Sequence, residues 1–386
     1  MEQLMSRIGE KAARLHIPLN AHLDVTWRCN EGCGMCYLDH SVGGDMSTAE
    51  IKKTLDELAA AGALFLTLSG GEIMLRKDIF EIVAYARKLQ FDVRLKTNGI
   101  LVGEDEARRF AELGVREVHI SIYSHKPEVH DGITRVPGSL ERSLNAARHF
   151  RNQGLTVELR CPIMQPNAAD YREVHQLALD MGVKSKFDAM VTPMMDGDRD
   201  PVDEFHVNLE TLTAVIHDPL LAGNDDEKCG PPAPPDESAL SGFPCTAGHA
   251  GCYITPQGDV TPCVQFPMVC GNLRTASFTD IWYTSPDFLR LRELRSRDVA
   301  VCNTCSNFNA CNRCPGLAYM EGDMAGPSSL DCAKAYARTG VPSPLTGVSP
   351  VHAAGNRHGT GSPGLVQLSA LRPAPPAGVY SDAAAC

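Results

Sequence analysis

Cysteine placement constrains this chain more than any other feature. The sequence has 15 cysteines, an odd number, and they fall into two blocks with a long middle between them. Cys29, Cys33 and Cys36 lie near the start, and nine more, Cys270 among them, lie between Cys245 and Cys332. A disulfide framework needs an oxidising compartment and suits small secreted chains. The opening MEQLMSRIGEK has no apolar run of the kind a secretory signal carries. Clustered thiolates in such a chain point to metal, and the expected location is the cytoplasm.

The net charge of −11 argues against a phosphate-tracking nucleic-acid binder and against a basic membrane-surface protein. The longest apolar stretch, Leu58 to Leu68, is too short to span a bilayer. Neither nucleic acid nor membrane is expected as a partner.

Between residues 20 and 195 strand and helix patterns alternate. Strands are predicted at His22–Trp27, Ala63–Ser69, Asp92–Thr97, Glu117–Tyr123, Thr156–Pro162 and Lys184–Val191. Ser47 followed by Glu50 forms a capping box that opens a helix to about Ala61, and further helices are predicted near 77–89, 105–113, 139–152 and 171–181. Six strands joined through helices by short connections imply parallel pairing with right-handed crossovers. No glycine-rich dinucleotide fingerprint follows the first strand, so an α/β partial (β/α)6 TIM-like barrel fits better than a doubly wound sheet. The expected division is an extension over 1–20, a barrel core over 21–195, an acidic Pro/Gly-rich linker over 196–240, a cysteine-rich domain over 241–338 and a disordered tail over 339–386.

Cys29-x3-Cys33-x2-Cys36 follows the first strand directly. Three thiolates this close can hold three irons of a [4Fe–4S] cluster and leave the fourth open to a small chelating molecule. A zinc knuckle is the alternative, with only His40 nearby as a further ligand. The turn Ser69-Gly70-Gly71-Glu72 follows the second strand, and parallel strands aim both segments at one mouth. Glycines let a ligand approach the backbone, and Glu72 can accept from an amino group.

Together the loop and the turn resemble the radical S-adenosylmethionine (SAM) superfamily over residues 20–195. The resemblance implies that the open iron chelates the amino and carboxylate groups of SAM, with Gly70, Gly71 and Glu72 holding the methionine amino group. Reduction then cleaves SAM to a 5′-deoxyadenosyl radical that abstracts hydrogen from substrate. Asn98, Ser121 and Arg160, near strand ends, are further SAM-contact candidates by the same resemblance, beside a plain reading as polar rim residues. One departure is Met35, where the family usually has an aromatic residue. His119 shares a strand face with Ser121 and Tyr123, but no spacing sets a carboxylate beside it, so it reads as a structural histidine and no catalytic residue is assigned.

The second block runs Cys245-x6-Cys252-x5-Gly258-x4-Cys263, then Cys302-x2-Cys305-x5-Cys311-x2-Cys314, then Cys332. Eight thiols suffice for two closed four-thiolate clusters, with a zinc ribbon as the alternative. The block resembles the SPASM extension, which carries two auxiliary [4Fe–4S] clusters. By that resemblance Cys245, Cys252, Cys263 and Cys314 bind the first, and Cys302, Cys305, Cys311 and Cys332 the second. The Cys311–Cys314 gap is one residue shorter than usual for the family. Cys161 and Cys270 read as buried or inert thiols, and Cys229 and Cys386 have no evident partner.

The expectation is therefore a radical SAM enzyme with three [4Fe–4S] clusters, acting on a peptide or protein. It needs an external low-potential electron donor, and with only 28 residues before Cys29 a separate peptide-recognition protein is expected. The alternatives are a radical enzyme of haem or tetrapyrrole biosynthesis, a multi-cluster electron-transfer protein and a zinc-dependent interaction module.

Overall fold

The computed structural model describes residues 2–221, 230–343 and 345. Cys229, Cys386 and nearly all of the expected tail lie outside the described residues. Six strands pair in sequence order, each parallel to the next: β1 (Asn20–Thr26), β2 (Phe65–Gly70), β3 (Asp92–Thr97), β4 (Glu117–Ser121), β5 (Thr156–Pro162) and β6 (Lys184–Asp188). The helices between them are α2 (Thr48–Ala60), α3 (Ile79–Lys88), α4 (Glu104–Glu112), α5 (Pro127–Thr134), α6 (Ser139–Asn152) and α7 (Tyr171–Asp180), with α1 (Glu2–Arg14) ahead of the sheet. This is the parallel α/β architecture expected. The Ser47–Glu50 capping box opens α2 as read, and α6, β3 and β5 match residue for residue. Helices α1 and α5 were not anticipated.

Strand alternation separates two faces. Leu23, Leu68, Leu95, Ile120 and Leu159 join helix residues such as Leu55, Val83, Phe110 and Phe150 in one continuous core. The opposite face carries His22, Asp24, Arg94, Lys96, Glu117, His119, Glu158 and Arg160. Parallel strands buried on both sides usually read as unbroken apolar runs. Here the alternation leaves the concave side of the part-barrel polar, which is costly unless that side has work to do.

The C-terminal block continues the same sheet. β7 (Gly251–Ile254) pairs parallel with β1, with Asn20 opposite Gly251 and Leu23 opposite Ile254, and β8 (Asp259–Thr261) and β9 (Gly271–Asn272) follow antiparallel. Short helices α8 (Asp200–Phe205), α9 (Leu209–Ile216) and α10 (Glu237–Ser241) occupy the described parts of the bridge. They are followed by α11 (Phe278–Thr284), α12 (Pro286–Glu293), α13 (Pro315–Met320) and α14 (Ser329–Thr339). Trp282 anchors this part: its ring packs between Phe278 and Phe288, and its Nε1 donates to the His16 carbonyl at 2.6 Å. Among the described residues no helix is long and apolar enough to cross a membrane.

Arg76 ties the strand ends to the loop before α2. Its Nη1 donates to the Val25 and Met46 carbonyls, each at 2.9 Å, and its Nη2 pairs with Asp78 at 2.6 Å. Replacing Arg76 by Met leaves these acceptors without their donor, so the unfolding free energy is expected to fall by about 3 kcal/mol. Equilibrium urea unfolding reads this as a lower midpoint at unchanged slope.

Candidate active site

The loop carrying Cys29, Cys33 and Cys36 leaves the C-terminal end of β1 at the mouth of the part-barrel. All three thiols are free and partly buried. The Gly32 amide donates to the Thr134 carbonyl at 3.0 Å, docking the loop on the end of α5, and the Cys36 amide closes back on the Cys33 carbonyl at 3.1 Å. Gly34 has no room for a side chain, because a Cβ there would stand 2.5 Å from the Phe205 ring. The Glu31 amide donates to Cys29 Sγ at 3.4 Å. Two other amides repeat this i+2 geometry at 3.4 Å, Ala247 to Cys245 and Asn307 to Cys305. Amide donors aimed at sulfur stabilise thiolate charge and tune an iron–sulfur centre.

Burial pushes the Cys29 thiol up to about 11, and raises Cys33 and Cys36 as well. Thiols held this way become ligands by releasing their protons to solvent as a metal cation takes the protons' place. His40 turns its Nδ1 to the Trp27 carbonyl at 2.6 Å. A set of three thiols fits a cluster with one open iron better than it fits tetrahedral zinc.

The Gly70–Gly71–Glu72 turn lies against this loop. A Cβ on Gly70 would meet the Thr26 carbonyl oxygen at 2.0 Å, and one on Gly71 the Arg28 oxygen at 2.4 Å. The close approach these glycines permit is thus that of the chain itself, sealed by amide bonds from Gly71 to Thr26 and Glu72 to Arg28 at 2.9 Å each. Glu72 is fully buried, and its carboxylate accepts from the Met74 and Asn98 amides and from the Thr97 hydroxyl at 2.8–2.9 Å. Burial raises its pKa, and these donors pull it back. Asn98 reaches the cysteine loop, with its Nδ2 donating to Asn30 Oδ1 at 2.7 Å. Ser121 ends β4 and shares a hydrogen bond with Tyr123, whose hydroxyl stands 3.9 Å from Cys33 Sγ. Arg160 is engaged elsewhere: its Nε pairs with Glu158 at 2.5 Å and its Nη2 approaches His119.

The polar concave face holds what sequence reasoning missed. Two carboxylates do flank His119, Glu117 at 3.4 Å and Glu158 at 3.8 Å from its Nε2. Glu117 was findable, being two residues back on the same strand face, whereas Glu158 depends on the β4–β5 register that sets it opposite His119. Arg94 and Arg116 neutralise Glu117, and burial, then Arg160 and Arg94, push the His119 imidazole down to about 3. Nearer the mouth, buried Asp24 accepts from Tyr253 at 2.6 Å and Trp27 at 3.1 Å and lies 3.2 Å from His22. Arg135, also missed, sits in the left-handed region with φ 59° and sets its side chain against the cysteine loop at Gly32 and Gly34.

The C-terminal thiols fall into two neighbourhoods. Burial raises the Cys302, Cys311 and Cys332 thiols, and the nearby Cys305 adds to the rise at each of the three. Cys314 is raised by burial, by Asp331 and then by Cys245 and Cys263, which form the other group. Asp331 lies between the groups and accepts from the Cys314 amide at 2.8 Å. Cys252, by contrast, lies on β7 within the apolar core.

Comparison with known proteins agrees with this layout. The family model described as Radical SAM superfamily matches residues 24–178, and that described as Iron-sulfur cluster-binding domain, SPASM, matches 245–315. The chain is 30% identical over 352 residues to PqqA peptide cyclase of Xanthomonas campestris pv. campestris, covering 84% of this chain and 89% of the relative. It is 26% identical over 333 residues to AdoMet-dependent heme synthase of Nitratidesulfovibrio vulgaris, covering 80% and 90%. Its fold resembles that of Streptococcus suis SuiB bound to precursor peptide SuiA, with TM-score 0.59, 16% identity and coverage of 84% and 78%.

The buried groups at the mouth generate two expectations. Changing Glu72 to Ala strands the Met74 and Asn98 amides, and is expected to cost about 3 kcal/mol, read as a lower urea midpoint. Behind Cys33, His130 stacks on Tyr123 and its Nδ1 accepts the Tyr123 amide at 3.1 Å. Burial lowers its pKa from 6.5 to about 4. A depressed folded-state value means its neutral form favours folding above pH 6.5, and that contribution is lost as pH falls toward 4. Unfolding titrations across this window should show a steeper acid loss in the wild type than in His130→Gln.

Proposed function

Because the chain belongs to the radical SAM superfamily and carries a SPASM domain, we propose that it is a radical SAM enzyme whose substrate is a peptide or protein. A [4Fe–4S] cluster with SAM, when bound, supplies a 5′-deoxyadenosyl radical able to take hydrogen from substrate. The observation that carries the proposal is the three-thiol loop packed against the Glu72 turn at the mouth of a polar lumen, in a chain 30% identical to a peptide cyclase.

In this reading Cys29, Cys33 and Cys36 hold the radical-generating cluster, and Gly32 and Gly34 keep their loop tight. Gly70, Gly71, Glu72, Asn98 and Ser121 border the SAM side. Glu72 serves by fixing the β2 and β3 ends, since its oxygens already accept from Met74, Thr97 and Asn98. Arg160, paired with Glu158, faces the lumen, where it and Lys96 orient polar substrate groups. Burial keeps His119 neutral at pH 7, so it can hold or accept a proton without adding charge to the lumen. The remaining cluster thiols give two auxiliary sites, Cys302 with Cys305, Cys311 and Cys332, and Cys245 with Cys263 and Cys314, for three clusters in all. An external low-potential electron donor and a separate peptide-recognition protein belong to the same proposal, as does a cytoplasmic setting.

The similarity to AdoMet-dependent heme synthase favours one second reading, a tetrapyrrole substrate. The test is anaerobic. The reconstituted, reduced protein with SAM should form 5′-deoxyadenosine, and a chain with Cys29, Cys33 and Cys36 all changed to Ala should form none. Candidate precursor peptides should raise the rate. A Soret shift on adding porphyrin, with no peptide effect, would instead select the second reading.

A further inference from the structure

Sheet register sets one row of side chains across the lumen. Asp24 of β1 is level with Ser69 of β2, Lys96 of β3 with His119 of β4, and His119 with Glu158 of β5. Leu68 pairs with Leu95, so Ser69 and Lys96 are level too and complete the row. The guanidiniums of this face are neutralised at contact distance. Arg94 Nη2 lies 2.8 Å from Glu117, and Arg160 Nε lies 2.5 Å from Glu158. Asp24 is engaged with Tyr253, Trp27 and His22. Lys96, by contrast, makes neither an ion pair nor a hydrogen bond among the described residues. It is the exposed residue of β3, yet protein surrounds it closely enough for burial to lower its pKa. An exposed side chain inside such an enclosure stands in an open chamber. Asp24 and Cys263 act on Lys96, and the same two groups act on Tyr37, which follows Cys36. The chamber therefore adjoins the cysteine loop.

We propose that Lys96 binds a carboxylate of the substrate in the lumen, and so selects peptides with an acidic side chain or a free C-terminus beside the residue to be modified. The inference rests on the reading that this lumen receives a peptide substrate. An ammonium in open water gains little from one ion pair. In a chamber that its occupant closes, the same pair is worth more, because the local dielectric falls. Asp24 favours the charged form of Lys96 from a distance, and His119 opposite is neutral at pH 7 and adds no competing charge. One ammonium balances one negative charge, which is what a carboxylate brings. A phosphate dianion would need further charged donors, and Arg94 and Arg160 already give theirs to Glu117 and Glu158.

Acetic anhydride, small and uncharged, reads the state of this amine without reduction or turnover. The anaerobically reconstituted protein is labelled briefly, and acetylation at each lysine is measured by mass spectrometry. Three peptides serve as probes: acetyl-Ala-Glu-Ala amide has a side-chain carboxylate, acetyl-Ala-Gln-Ala a terminal one, and acetyl-Ala-Gln-Ala amide neither. At saturation one or both acidic probes should slow acetylation of Lys96 at least about fivefold, because protection grows with occupancy. The neutral probe should leave it unchanged, and the exposed Lys53 should label at one rate throughout. Slowing by the first probe alone assigns an acidic side chain, and by the second alone a chain terminus. Equal slowing by the neutral probe would overturn the requirement for an anion. No slowing by any probe would overturn the proposal, as would full slowing by SAM alone, which would assign Lys96 to the carboxylate of SAM. Protection by the acidic probes, with no peptide raising deoxyadenosine formation, would keep Lys96 as a carboxylate site and remove the peptide reading instead.

Discussion

Each of the six strands β1 to β6 hydrogen-bonds its successor in the same direction, so every loop leaving a C-terminal strand end opens at one mouth. The cysteine loop after β1, the Glu72 turn after β2 and Asn98 after β3 become neighbours for that reason alone. One buried carboxylate then locks them. Glu72 would be expensive to bury unpaired, and its donors come from the start of the next turn and from the end of the next strand. The geometry of the cysteine loop thus inherits its precision from a sheet register set many residues away.

The polarity of the concave face has a matching logic. Glu117, Glu158, Arg94 and Arg160 pair with one another, which limits the cost of holding charge inside a part-barrel. The C-terminal block enters the same space from the far side. Through β7 it extends the sheet beside β1, delivers the Tyr253 hydroxyl to Asp24, and brings Cys263 toward Lys96. Cys263 and the cysteine loop after β1 therefore approach the same lumen.

Signals that are local in sequence were legible. The Ser47–Glu50 cap, the alternation that defines β3 and β5, and the two cysteine blocks each depend on residues a few positions apart. Features that depend on register or on side-chain direction were not. Glu158 meets His119 only because β4 and β5 align as they do, and Arg160 turns to Glu158 although it lies near the strand end where a SAM contact was expected. Cys252 fits a ligand spacing, yet β7 is four residues long with apolar neighbours, too short to reveal its two faces without its pairing to β1. The bridge hid α8 and α9 behind proline, glycine and acidic residues, while Val202, Leu212 and Val215 bury enough surface to fold it.

The central claim is that Cys29, Cys33 and Cys36 leave one iron free for SAM to chelate beside the Glu72 turn. Electron–nuclear double resonance of the reduced protein with SAM labelled by 15N in the amino group and 17O in the carboxylate tests it directly. The account predicts hyperfine coupling from both labels, lost when the three cysteines are replaced. Coupling from neither label, in protein shown to carry its full iron, would contradict it.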